Sequence, residues 1–145
     1  MIRAGGCQCG AVRFTLALER VTAYACHCRE CQKQSASAFA LSIPAPRSAL
    51  ALEGETASWT RKADSGAETT CHFCPRCGSR LFHRSSAAPD AVTIKAGALD
   101  DTSDVRPLAH FWVSRKQPWV RLDPDVAAFE TQPDDLAAWR AARPR

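Results

Sequence analysis

Eight cysteines in 145 residues fall into three tight groups: Cys7-Gln8-Cys9, Cys26-His27-Cys28-Arg29-Glu30-Cys31 and Cys71-His72-Phe73-Cys74-Pro75-Arg76-Cys77. Thiolates two or three positions apart on a tight turn grip one metal ion from the same side. A tetrahedral zinc ion takes about four such ligands at about 2.3 Å. Three short groups therefore read as a plan for two zinc ions, and a chain built this way must fold so as to bring them together.

The rival reading is a disulfide framework. Pairs this close in sequence close loops of almost no length and remove little entropy from the unfolded chain. The segment Met1-Ile2-Arg3-Ala4-Gly5-Gly6 carries no apolar stretch of the secretory kind before the first cysteine pair. The expected location is therefore the cytoplasm, where thiols stay reduced and clustered cysteines hold metal. Zinc is inferred from thiolate chemistry, and iron is the other metal a four-thiolate site accepts. The strongest segment is Cys74-Pro75-Arg76-Cys77-Gly78. Pro75 sets a turn, and Gly78 permits the positive φ that lets backbone N–H groups point at the sulfurs.

The length suits one domain over residues 1–145, and no run of 18 apolar residues marks a membrane span. The formal charge of +4 omits the metal sites. Seven or eight thiolates with two zinc ions add roughly −3 or −4, because each four-thiolate zinc unit carries about −2. The loaded protein is then close to neutral, which removes the charge argument for a nucleic-acid partner. The basic residues are scattered except for Arg140, Arg143 and Arg145, which read as a solvated tail. Nothing in the sequence specifies an oligomeric state.

Short strands dominate the pattern. Ala11 to Leu16 alternates apolar and polar residues. Ala38 to Ile43 is an apolar run expected to stop at Pro44 and Pro46. Ser58 to Arg61, Thr69 to Phe73, Arg80 to Arg84, Ala91 to Lys95 and Ala109 to Val113 read as further strands, with a break at Pro89-Asp90. A helix is expected only at the end, over Pro133 to Trp139. Cys7 and Cys9 would share one face of an extended segment, as would Cys26 and Cys28, with Cys31 curling back from a turn. If Cys71 and Cys74 lie on one strand, they point to opposite faces.

The three motifs, in this order and spacing, resemble the glutathione-dependent formaldehyde-activating enzyme family, which includes the centromere protein V group. The residues that carry the resemblance are Gly6 to Phe14, Cys26 to Lys33 and Phe73 to Ser79. The later segments Ala96 to Asp101 and Pro107 to His110, with Trp112 and Trp119, extend it over nearly the whole chain. The resemblance implies a mainly β fold, a β-tent of small antiparallel sheets around zinc, with a short C-terminal helix.

It also implies how the cysteines divide. Cys7, Cys9, Cys74 and Cys77 would close a structural zinc site. Cys26, Cys28 and Cys31 would form a second, labile zinc site with an open position of the catalytic kind. The implied reaction joins formaldehyde and glutathione as S-hydroxymethylglutathione, a carbon–sulfur lyase-class step. The thiol, ionised beside the metal, attacks the aldehyde carbon, and a nearby donor protonates the hemithioacetal oxygen. Glutathione carries two carboxylates, and Arg29 and Lys33 are the basic residues nearest the open site in sequence. Solvated loop charges are the plainer reading of both. His27 points away from the ligands and reads as core or supporting packing. Trp112 and Trp119 read as core or pocket wall.

Two positions depart from the family pattern. Ser35-Ala36-Ser37 stands where relatives commonly carry Ser-Gly, which implies a less open loop. Cys71 stands where relatives often carry arginine. Cys71 is a candidate fourth ligand of the second zinc, which would close that site. The plainer reading is a small buried strand residue. Besides the enzyme, two functions compete: a non-catalytic zinc module that binds a thiol, protein or nucleic-acid partner, and a small-thiol buffer with no turnover. The lack of a basic run with interleaved aromatics argues against nucleic acid.

Overall fold

Val12, Phe14 and Leu16 are buried while Thr15 and Ala17 are exposed, so the alternation in the sequence becomes one face of a strand laid on a core. The computed structural model describes residues 1–141; Arg143 and Arg145 of the basic terminus lie outside the described residues. In chain order the elements are β1 (Ile2–Gly6), β2 (Arg13–Ala17), β3 (Ala23–Cys26), α1 (Arg29–Ser35), β4 (Ala40–Pro46), β5 (Leu50–Glu53), β6 (Ala57–Lys62) and β7 (Glu68–Phe73). Then follow β8 (Arg80–Ser85), β9 (Ala88–Lys95), β10 (Pro107–Phe111), β11 (Ala127–Ala128) and α2 (Leu136–Ala141). The protein is mainly β, as expected. No helix among the described residues is long and apolar enough to cross a membrane.

Two compact units share the chain. The first comprises Met1–Val21 and Ile43–Asp104. In it β1 and β2 form an antiparallel hairpin, in register from Ile2–Ala17 to Gly6–Arg13, and β5 pairs on the other side of β2. Strands β6 to β9 form an antiparallel meander. Val12, Phe14, Leu16, Leu81 and Ile94 are fully or almost fully buried here. Gly5 is required by this packing, because a Cβ would stand 2.4 Å from the Phe14 ring and the Ala98 carbonyl.

The second unit comprises Thr22–Ser42 and the chain from Val105 onward. Here β3 pairs antiparallel with β4 but parallel with β10, and β10 is parallel to β11. Parallel neighbours need a long connection between them: residues 27–106 join β3 to β10, and residues 112–126 join β10 to β11. Its core is aromatic. Tyr24 stacks on Phe111 at 4.5 Å, and Trp139 of α2 meets both edge-on at 5.6 and 5.0 Å. Burying a ring of this size contributes about 1.5–3 kcal/mol.

Several elements differ from the sequence reading. β4 runs through Pro44 to Pro46, because both prolines fall beyond the stretch that pairs with β3 at Ala40 to Ser42. Pro89 and Asp90 lie within β9, where the register against β8 slips between His83 and Ser85 and no ladder bond from proline is needed. Strand β3 was not anticipated, since all four of its residues are buried and nothing alternates. Helix α1 was also unforeseen. Its residues Arg29, Glu30, Gln32 and Lys33 are good helix formers, and the Cys28 sulfur caps it by accepting the Cys31 N–H at 3.3 Å.

Helix α1 ends on Ala36, which adopts the left-handed conformation at φ 49° and ψ 41° and donates its N–H to the Lys33 carbonyl at 3.3 Å. Glycine is the residue that adopts this conformation without Cβ strain. The exposed Ala36 therefore carries strain in place of the glycine expected from relatives. Ala36→Gly should raise stability by up to about 1 kcal/mol in denaturant unfolding, after the larger chain entropy of glycine is subtracted. An unchanged or lowered midpoint would contradict the strain.

Candidate functional site

Two hairpin tips build the first cysteine cluster. Between β1 and β2 the chain turns through Cys7 to Val12, with the Cys7 N–H bonded to the Val12 carbonyl at 3.0 Å and the Gly10 N–H to the Cys7 carbonyl at 3.2 Å. Cys7 and Cys9 thus share a turn rather than an extended face. Between β7 and β8 it turns through Cys74 to Ser79, closed by the Cys74 N–H to the Ser79 carbonyl at 3.0 Å. Gly78 takes φ +77°, as its position predicts, and donates to the Cys74 carbonyl at 2.9 Å. The tips are joined by the Gln8 N–H, which donates to the Ser79 hydroxyl at 3.0 Å.

These turns place Cys7, Cys9, Cys74 and Cys77 with all four sulfurs within 4.8 Å of one another. Cys7 and Cys9 stand 3.6 Å apart and Cys9 and Cys74 3.7 Å. Arms of about 2.3 Å to a tetrahedral centre give sulfur edges of about 3.8 Å. A disulfide would need about 2.05 Å, and all eight cysteines are free thiols. The spacing therefore fits a metal ion at the centre of four thiolates.

Hydrogen-bond donors face the sulfurs. The Val12 N–H points at the Cys7 sulfur at 3.2 Å and the Arg76 N–H at that of Cys74 at 3.4 Å. The Ser79 hydroxyl, 3.2 Å from the Cys77 sulfur, together with the backbone N–H groups of Ser79 and Cys9, pulls the Cys77 thiol down to about 5. The Cys9 thiol is pushed up to about 11; the Ala11 N–H favours its thiolate, but burial and the three neighbouring sulfurs outweigh it. A cation at the centre would relieve that repulsion.

Cys26, Cys28 and Cys31 make the second cluster, again within 4.8 Å of one another. Cys26 ends β3, Cys28 caps α1 and Cys31 lies in its first turn. Hydrogen bonding with Cys28 and Cys31 pushes the Cys26 thiol up, and hydrogen bonding with Cys26 and Cys31 pulls the Cys28 thiol down. The three thiols pack against the aromatic cluster of Tyr24 and Phe111. Cys26 is buried, whereas Cys28 and Cys31 are half-buried. No fourth cysteine, histidine or carboxylate joins them among the described residues.

His27 is fully buried, with Nε2 3.0 Å from Nδ1 of His110 and its ring against Phe39, and its backbone N–H donates to the Phe111 carbonyl at 2.9 Å. Burial, then the charges of His110 and Lys116, push its pKa down to about 4. It is a neutral packing group outside the cluster. Cys71 stands in neither cluster. It is fully buried on β7, paired across the sheet with Trp59 and His83. The strand ends at Phe73, so Cys74 does not share it and the opposite-face argument has no strand to act on.

Arg29 and Lys33 line a groove of about 480 Å³ together with Gln32 of the same helix and with Gln117 and Trp119. Trp119 is 70% exposed and is wall, not core. Trp112 packs against the Tyr24–Phe111 cluster. Nothing in the sequence singled out Gln32 or Gln117, because amides at this spacing form no motif.

A mainly β protein with two cysteine clusters able to hold metal ions is the class these features define. The sequence model of the glutathione-dependent formaldehyde-activating enzyme family matches residues 2–115, and the chain belongs to that family. A Halomonas elongata protein, provisionally named a glutathione-dependent formaldehyde-activating enzyme, is 27% identical over 150 residues, covering 97% of this chain and 96% of that one. A crystal structure of a Rhodobacter sphaeroides protein matches with a TM-score of 0.56 over 72% of this chain and 91% of that one. At 22% identity it is a likeness of fold.

Because Cys71 sits apart from both clusters, Cys71→Ser should leave the metal content per chain unchanged by elemental analysis. It should also cost about 1–3 kcal/mol of stability, since a hydroxyl replaces a buried thiol. Loss of one metal equivalent would make Cys71 a ligand.

Proposed function

We propose that the protein is a zinc-dependent enzyme of the carbon–sulfur lyase type that forms or cleaves an S-hydroxymethylglutathione-like adduct. The observation that carries this reading is the three-sulfur cluster of Cys26, Cys28 and Cys31, two of its members half-exposed. Family membership and the provisional name of the Halomonas elongata relative point to the same substrates.

In this reading Cys7, Cys9, Cys74 and Cys77 hold a structural zinc ion, and Cys26, Cys28 and Cys31 hold the second, more labile one. A zinc ion there would supply Lewis acidity that lowers the pKa of a thiol at its open position. The protein's own part is to position the substrates. Cys28 and Cys31 are half-buried, so an incoming sulfur could reach them, and they pack against the aromatic cluster of Tyr24 and Phe111. A sulfur–carbon bond forms as the carbonyl π bond breaks, and the proton lost by the thiol ends on the new hydroxyl oxygen. Arg29 and Lys33 offer positive charge to the carboxylates of glutathione. Eight free thiols suit a reducing compartment, and the proposed location is the cytoplasm.

The test is the exchange rate between glutathione, formaldehyde and S-hydroxymethylglutathione, measured by NMR. Wild-type protein should accelerate it, and Cys28→Ser should reduce the acceleration by about 100-fold or more while one zinc per chain remains. A wild-type rate no faster than the uncatalysed exchange would rule out the lyase reading.

A further inference from the structure

Arg29, Gln32 and Lys33 leave one face of α1 at i, i+3 and i+4 spacing. Gln32 is 4% exposed, and both amide hydrogens are used, donating to the His27 carbonyl at 2.7 Å and the Arg115 carbonyl at 3.0 Å. Two carbonyl acceptors fix which end of the amide is nitrogen. Oε1 then accepts from the Arg29 guanidinium at 2.6 Å and from Nε2 of Gln117 at 3.2 Å. Gln117 Oε1 accepts the Trp119 indole N–H at 2.7 Å. A buried amide thus holds an exposed guanidinium and, through Gln117, an exposed indole, all lining the groove.

Core packing does not explain this arrangement. Trp119 remains 70% exposed, and the groove's lining holds two cations and no carboxylate. Arg29 gives Gln32 part of its fork, and the other guanidinium donors are placed for a planar anion. The exposed indole suits a flat amide or peptide plane beside that anion.

We propose that this groove is the subsite that reads a carboxylate of the thiol substrate and the peptide plane next to it, with Gln32 as the positioning residue that aims Arg29. This rests on the lyase reading above and deepens it. Shared placement on α1 supports the link. Cys28 and Cys31 immediately precede Arg29 and Gln32, about 100° around the helix from each. One short element therefore carries both the groove's cations and two of the three clustered thiols.

The probe is S-methylglutathione, which keeps both carboxylates but has no free thiol to bind metal, compared with its dimethyl ester by calorimetry on the zinc-loaded protein. Wild type should bind the diacid at least about 10-fold more tightly than the ester. Arg29→Ala should abolish that preference. Gln32→Met should reduce it when Arg29 is present and have no further effect in the Arg29→Ala background, which a merely structural role would not produce. If Gln32→Met does not fold, Gln117→Ala carries the same cycle. Equal binding of diacid and ester by wild type, or a preference that survives Arg29→Ala, overturns the proposal. Probe binding with the predicted preference but no turnover of glutathione and formaldehyde would uphold the groove while removing the lyase. Turnover without probe binding would remove the groove alone.

Discussion

Mutual repulsion among closely held sulfurs is the constraint on which the rest depends. Two hairpin tips, Cys7 to Val12 and Cys74 to Ser79, hold four thiols at edges of 3.6 and 3.7 Å where measured. Without a cation, burial and the three neighbouring sulfurs drive the Cys9 thiol up, while the Ser79 hydroxyl and backbone N–H groups hold Cys77 down. With a cation the same spacing becomes attractive, and the binding free energy adds directly to folding free energy. Short strands and tips fixed by a handful of backbone bonds are then sufficient, because the ion rather than a long ladder would tie the tips together.

The two clusters differ in a way that suits different work. Four sulfurs on two rigid turns leave a tetrahedral ion no vacant position. Three sulfurs on a strand end and a helix start leave one, and two of the three are partly exposed. The helix that carries Cys28 and Cys31 also carries Arg29, Gln32 and Lys33. One short element therefore presents two clustered thiols on one side and charge on another, and the buried Gln32 locks it to the segment around Arg115 and Gln117.

Both clusters were legible in the sequence because ligand spacing is a local property. Cys74-Pro75-Arg76-Cys77-Gly78 announces its own turn, and its positive φ at Gly78 appears as expected. The pairing of Cys7 and Cys9 with Cys74 and Cys77 is not local and came only through the family resemblance. The alternating strand at Val12 to Leu16 was visible, whereas β3 was hidden because burial on all sides leaves no alternation. Helix α1 was hidden behind its own cysteines, whose tight spacing reads as turn even though the residues between them favour helix. Trp119 was legible as core or pocket wall, and its exposure decides for wall; Gln32 and Gln117 could not be found from sequence, since their roles arise from a hydrogen bond between residues 85 positions apart.

The proposed chemistry requires one saturated four-sulfur metal site and one open three-sulfur site that accepts a thiol. Cobalt(II) substitution followed by absorption spectroscopy during a glutathione titration distinguishes the two. Two cobalt ions per chain are expected, with a glutathione response of one site's amplitude and no response in Cys28→Ser protein, which should hold a single cobalt. Two cobalt ions whose spectra no thiol alters would mean two closed sites and would contradict that chemistry.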